Sequence, residues 1–331
     1  CFFYSLDFME KRKIILSFSR DFNQWINQFV REQHVFNFPR VWGVGLSDQI
    51  THFDGRTFEW WRYQDEMESI KDFMTQQPLS AAVFSQERVN NFLQLVSKLK
   101  NLSAQNPRSI KNPFVHLEKL EFLFNALYPW YPLSIFIPGA WRETLLKIHG
   151  VKTKKIIARF SMSRKKSEGL PNLVGDHLRR WLGHYLEKIG QPGDYVKFLS
   201  VEETRNLVSR GVLPSVRTLR ARARGYVYFQ GEIYPTANVK KFFRDHHLIA
   251  EIAKISGIKE LKGTVAQRSK HLITGHVQII LGTAEVAGFK RGSILVTSMT
   301  VPTFLPAIKT AKAIVTDEGG ILCHAAIVAR E

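Results

Sequence analysis

Apolar and polar positions along the 331-residue chain change period several times, and each change marks an element. Residues 13–22 (KIILSFSRDF) open on β-branched side chains and read as a strand. In 23–32 (NQWINQFVRE), Trp25, Ile26, Phe29 and Val30 recur at helical spacing and form one apolar face. A hairpin follows, because ITHF and TFEWW flank Asp54-Gly55, a dipeptide suited to the tight turns that join antiparallel strands. From about 64 to 188 the period is helical. QDEMESIKDFM, SQERVNNFLQLVSKLKNL and HLEKLEFLFNALY all place apolar residues at i, i+3 and i+4. Ser85 with Glu87 marks a helix start without capping-box spacing, and Trp130 and Tyr131 read as core.

Residues 193–211 (GDYVKFLSVEETRNLVSRG) predict a short strand and then a helix opening at Ser200. Glu203, three residues on, completes a capping box. RTLRARARGYVYFQGEIYP (217–235) predicts a basic helix or extended arm and a second hairpin, YVYF and EIY, around Gln230-Gly231. Residues 237–255 (ANVKKFFRDHHLIAEIAKI) read as one linker helix. Beyond about 261, GTVAQ, HVQIIL, SILVT and AIVT are short β-rich runs, with PTFLPAIKTA as a helix between the last two.

The fold class expected is α+β and multidomain: a mainly helical N-terminal region with short hairpins, then a small C-terminal β/α domain. The segments are 1–63 (small, α+β, with a hairpin), 64–192 (helical), 193–260 (basic connector with hairpin and linker helix) and 261–331 (small β/α domain, incomplete at its C-terminus). Opening on Cys1 and stopping at Glu331, the chain reads as cut at both ends.

Composition adds charge to this outline. Hydrophobic residues make up 44% and charged residues 23%, the balance of an ordinary globular protein. The formal net charge is +18, and residues 151–245 hold 20 Lys and Arg against 8 Asp and Glu. About two thirds of the excess therefore lies in under a third of the chain. Such a field attracts phosphate groups, and its bland counterpart is a solvated lysine-rich surface. Arg217, Arg220, Arg222 and Arg224 form either a phosphate-attracting edge or a solvated helix face. Cys1 and Cys323 cannot build a disulfide framework, no Cys/His spacing suggests a metal site, and adjacent His246-His247 do not share a helix face. The N-terminus lacks the basic start of a signal peptide, and the greasiest run, 128–141, is short and broken by proline. Those features predict a cytoplasmic protein without a membrane partner. Neither a G-x-x-x-x-G-K-[ST] phosphate loop nor a G-x-G-x-x-G motif occurs.

The chemistry gathers in TDEGGILCHAAIVARE (316–331). AIVT ends a strand, DEGG turns, and the residues after His324 favour helix, so His324 stands at or next to a helix N-terminus. Free N–H donors and the positive dipole end there favour a phosphoryl group. Imidazole is largely unprotonated near neutral pH and can attack phosphorus. Gly319, Gly320, Ala325 and Ala326 leave the ring approachable by a second domain. A capping or buried histidine is the alternative on chemistry alone.

The run VT-x-MT-x-P (296–302), then AKAIVTDEGG, then CHAAIVARE resembles the mobile, phosphohistidine-carrying domain of the PEP-utilising enzymes. That family includes phosphoenolpyruvate synthase, pyruvate phosphate dikinase, rifampin phosphotransferase and enzyme I of the sugar phosphotransferase system. The resemblance covers roughly 263–331. It implies a swivelling domain in which His324 is phosphorylated and Thr316, Gly319, Gly320, Cys323 and Arg330 shape the phosphoryl site. Position 322, commonly Thr in the family, is Leu322 here, which removes a hydroxyl from that site. FLSVEETRNLVSRG and its basic arm resemble the connector of synthase-like members. The resemblance also implies partners outside the recognisable residues: an ATP-grasp nucleotide-binding domain, a phosphoenolpyruvate- or pyruvate-binding barrel, or both, holding ATP or phosphoenolpyruvate with magnesium. No cofactor is expected on the residues present. A phosphotransferase carrying phosphate on His324 is the leading expectation. A docking module that kept only the fold, and a basic nucleic-acid-binding protein, are the alternatives.

Overall fold

A computed structural model of the chain describes residues 11–236, 238–251, 259–263, 265–269, 271–300, 302–317 and 324–330. The helices are α1 (Gln24–Glu32), α2 (Phe38–Trp42), α3 (Gln64–Gln76), α4 (Gln86–Ser103), α5 (Pro113–Leu127), α6 (Tyr131–Phe136) and α7 (Arg142–His149). They continue as α8 (Lys154–Ser167), α9 (Leu170–Lys188), α10 (Val201–Arg210), α11 (Val216–Arg224), α12 (Val239–Asp245), α13 (Leu305–Thr310) and α14 (His324–Val328). The strands are β1 (Arg12–Arg20), β2 (Ile50–Phe53), β3 (Phe58–Tyr63), β4 (Tyr226–Phe229), β5 (Glu232–Pro235), β6 (Leu248–Glu251), β7 (Val277–Ile279), β8 (Ile294–Thr297) and β9 (Ala313–Thr316). The chain is α+β, as its sequence predicts.

A six-stranded sheet in the order β5-β4-β2-β3-β1-β6 joins strands from both ends of the first 251 residues. Only β1 and β6 pair in parallel; the other neighbours are antiparallel. Side chains alternate across this sheet with the period of two that a pleated strand imposes. Phe58, Trp60, Tyr226 and Tyr228 enter the core shared with α1, α4, α5 and α9, while Trp61, Tyr63, Val227 and Phe229 meet Phe242 and Phe243 of α12 on the other face. Ile14 and Phe18 of β1 break the alternation, since they lie on opposite faces although an even number of residues apart. The register of β1 against β3 shifts between Leu16 and Phe18, and that irregularity supplies the extra half-step.

Local signals hold the elements in place. Asn23 caps α1, its Oδ1 accepting from Ile26 N at 2.9 Å. Ser85 caps α4 through Arg88 N. At α10 the capping box is complete, with Glu203 N donating to Ser200 Oγ and Ser200 N donating to the Glu203 carboxylate. The Asp54 carboxylate accepts from Arg56 N and Thr57 N and closes the β2–β3 turn.

Three expected elements differ. The strand expected after 193 is a 3-10 helix, Gly193–Phe198, because Pro192-Gly193 starts a turn and Gly193 packs against the backbone of Gly183 in α9. The single linker helix expected over 237–255 is short: α12 ends at Asp245, His247 takes a left-handed φ of 55°, and Leu248 begins β6 beside β1. Residues 252–255 of that stretch lie outside the described residues. The β-rich reading of GTVAQ also differs, since the described residues of 263–267 form no strand and Val265 is 63% exposed.

A second, three-stranded sheet, β7-β8-β9, is parallel throughout and belongs to the C-terminal β/α unit. Its core is Ile280, Val286, Leu295, Phe304, Ala307 and Ile308. No helix among the described residues is long and apolar enough to cross a membrane.

Candidate functional site

The candidate site lies where β8 and β9 end side by side. Thr297 and Thr316 are register partners at the last position of each strand, and in open parallel sheets the carboxyl ends of strands are where ligands bind. The backbone stays tied just beyond them: Asp317 N donates to Thr297 O at 3.1 Å. Thr297 Oγ1 donates to Met299 O at 3.1 Å. Thr297, Ser298 and Thr300 are all buried, which concentrates hydroxyl groups under the end of β8.

From Asp317 the chain runs to α14, whose first residue is His324. Ala325 and Ala326 are buried, and side chains that small let the helix sit close against the domain core, to which Val328 also packs. Ala329 N donates to Ala325 O at 2.9 Å and Arg330 N to Ile327 O at 3.1 Å, closing the helix. Arg330 is exposed. His324 thus opens a helix, as its sequence setting predicts. Gly319, Gly320, Leu322 and Cys323 lie outside the described residues.

The sequence reading quotes Thr297 and Thr300 within the VT-x-MT-x-P run without giving them a role. The signal that finds them is structural: their burial at and just beyond the end of β8.

The four candidate arginines separate. Arg217, Arg220 and Arg224 are exposed on α11. Arg222 is buried and turned inward, with Nη1 donating to Phe198 O at 2.9 Å and both Nη atoms gripping Glu203. It is therefore not part of an outward phosphate-attracting edge. Helical geometry explains the split, since residues two apart point to different sides. Among the described residues no group of three His, Cys, Asp or Glu side chains is placed to hold a metal ion.

The β/α unit touches the large sheet through a polar contact. Arg56, in the β2–β3 turn, donates from Nη2 to Glu285 Oε1 at 2.5 Å and from Nε at 3.2 Å, while Glu285 Oε2 accepts from Leu281 N at 2.9 Å.

Comparison with known proteins bears on this end of the chain. Residues 289–331 match the family model described as PEP-utilising enzyme, mobile domain. A probable phosphoenolpyruvate synthase of Archaeoglobus fulgidus is 38% identical over 141 residues, 41% of this chain and 18% of the relative. The phosphoenolpyruvate synthase of Pyrococcus furiosus is 52% identical over 71 residues, 22% of this chain and 8% of that protein. An uncharacterized phosphotransferase of Bacillus subtilis is 49% identical over 63 residues, 19% of this chain and 8% of its own length. The chain spans less than a fifth of the length of these relatives. Residues 289–331, with His324 at the head of α14 among them, are thus similar to the mobile domain of the PEP-utilising enzymes.

Proposed function

We propose that the chain is part of a PEP-utilising phosphotransferase in which His324 carries a phosphoryl group from ATP or phosphoenolpyruvate to an acceptor. The observation that carries the reading is the family match over 289–331 together with the position of His324 as the first residue of α14, eight residues in sequence after Thr316 ends β9. An unprotonated ring nitrogen attacks phosphorus, a P–N bond forms as the P–O bond to the donor breaks, and the donor leaves with that oxygen and its electron pair. The ring's other nitrogen keeps its proton. Attack by the acceptor then breaks the P–N bond and returns the histidine. Thr316, Gly319, Gly320, Cys323 and Arg330 shape the phosphoryl site in this scheme, and the hydroxyls of Thr297 and Thr300 support its floor. An ATP-grasp domain, a phosphoenolpyruvate- or pyruvate-binding barrel, or both, would hold the donor and magnesium, either elsewhere in a longer polypeptide or on partner subunits.

The test is labelling with radioactive ATP or phosphoenolpyruvate and Mg²⁺, on the chain alone and with subunits that copurify with it. The expected result is acid-labile, base-stable label on wild type and none on His324→Ala. Equal labelling of the variant removes His324 from the scheme. Absence of label on wild type when its partners are bound and active turns the reading toward a docking module.

A further inference from the structure

The corner between α7 and α8 carries a cationic surface that the phosphotransfer reading does not use. Between Glu143 and Glu168 the sequence holds no acidic residue. Lys147, Lys152, Lys154, Lys155, Lys165 and Lys166 are all exposed there, and none forms an ion pair among the described residues.

The inner face of α8 is fully committed to the protein. Ile156, Ile157 and Phe160 enter the core beside Trp141 and Leu145. Both arginines of the helix also have protein partners: Arg159 Nη1 donates to Phe84 O at 3.2 Å, and Arg164 Nη1 donates to Tyr131 Oη at 3.3 Å with Glu168 nearby. The outward charge of α8 is therefore all lysine. Between the lysines stand aliphatic side chains, with Val151 71% exposed, Met162 55% and Ile148 46%. Ala158 and Met162 stand one turn apart on the outer face of α8, Val151 is exposed in the 3-10 turn that leads into it, and Lys154, Lys155, Lys165 and Lys166 are exposed on the same helix.

We propose that this α7–α8 corner is a docking surface for an anionic lipid bilayer. Flexible lysines reach headgroup phosphates while the exposed aliphatic side chains enter the headgroup–acyl boundary. Nucleic acid fits the surface less well. Base stacking uses exposed aromatics or arginine planes, whereas the exposed apolar groups here are aliphatic and the arginines of α8 face inward. That no described helix is long and apolar enough to cross a membrane has no bearing on a helix that lies in the interface plane. This inference is independent of the role of His324.

The experiment is cosedimentation of the chain with phosphatidylcholine vesicles, with and without phosphatidylserine, across a salt series. Binding is expected only with phosphatidylserine and should fall steeply with salt. Each lysine near an anionic surface contributes about a factor of five. The variant K154Q/K155Q/K165Q/K166Q should therefore lose about a hundredfold or more while keeping the wild-type melting temperature and circular dichroism. V151S/M162S should weaken binding and leave its salt dependence intact. Unchanged binding by the quadruple lysine variant overturns the proposal, as does failure of the wild type to bind phosphatidylserine vesicles. Retention of a mixed-sequence oligonucleotide without vesicle binding overturns it in favour of a nucleic-acid surface.

Discussion

Arg222 grips Glu203 through both ends of its guanidinium, Nη1 to Oε2 at 2.6 Å and Nη2 to Oε1 at 2.9 Å. Glu203 Oε2 is also the acceptor for Ser200 N in the capping box that opens α10. One carboxylate thus ties the start of α10 to the basic helix α11, and Arg222 Nη1 adds Phe198 O at the end of the preceding 3-10 turn. Three segments meet on a single charge pair.

Removing one partner of such a pair leaves the other charge without its counter-ion in a mostly closed site. Arg222→Ala is expected to destabilise the protein by about 2–4 kcal/mol, read by urea denaturation. Arg220→Ala, at an exposed position on the same helix, should stay within about 0.5 kcal/mol. Equal effects of the two substitutions would show that the pair is not structural.

His116 of α5 and His177 of α9 face each other with their Nε2 atoms 2.7 Å apart, Trp181 stacking on His177 and meeting His116 edge-on. One ring must donate and the other accept, so the contact needs neutral imidazole. Burial, then the proximity of His116 and Arg180, pushes His177 down to about 4, and burial with Lys119 lowers His116. Burial and Arg62 hold His34 well below the usual range as well. Folded-state values below the unfolded value mean that the unfolded chain binds more protons as pH falls. Stability should therefore be full above the ordinary histidine value of about 6.5 and decline as pH drops from there toward 4. His177 alone is expected to cost about 2 kcal/mol by pH 5, with His116 and His34 adding to the loss, and His177→Gln should flatten part of that slope. A wild-type profile level between pH 7 and pH 5 would contradict it.

Gly225 lies between α11 and β4 at φ 139°, a region L side chains rarely enter. An added Cβ there would meet Phe53 O of β2 at 3.1 Å and Thr236 O, just past β5, at 3.2 Å, both backbone atoms. Gly225→Ala should cost about 2 kcal/mol or more, from strain and crowding together. Thermal unfolding measures it, and an unchanged melting temperature would mean that the β4 entry relaxes freely.

How much of this was legible from sequence depends on the range of the signal. The Asp54-Gly55 and Gln230-Gly231 hairpins, the Ser200–Glu203 cap and the α1 face are local, and each occurs where the pattern places it. The short length of α12 was missed because Leu248 and Ile249 suit helix or strand equally. Their partner, β1, lies more than two hundred residues earlier, and no window along the chain contains both. Arg222 was misread for a related reason: helical period assigns it a side, but only the position of α10 says that this side is inward. At the site, the setting of His324 at a helix start could be read from AIVT, DEGG and the alanines after it. The burial of Thr297 and Thr300 could not, since it depends on tertiary packing around the end of β8 that no local window contains.

The Arg56–Glu285 contact makes a last prediction about how the β/α unit rests on the large sheet. Burial pushes the Glu285 carboxyl up, but its hydrogen bonds from Arg56 and from Leu281 N outweigh that and hold it below the usual range. Arg56 itself is well exposed, with 57% of its side chain accessible. An ion pair that open is weak against water and salt, so it can set the resting position of the small unit without contributing to global stability. Arg56→Ala and Glu285→Ala should each leave the melting temperature unchanged while broadening the distance distribution between fluorophores placed on α5 and α13. The double variant should broaden it no further than either single change, and high salt should reproduce the effect in wild type. If His324 visits separate donor and acceptor sites, this contact has to break and re-form in every cycle, which an exposed pair permits and a buried one would oppose. Distributions that stay narrow in both single variants would place the restraint elsewhere in the interface.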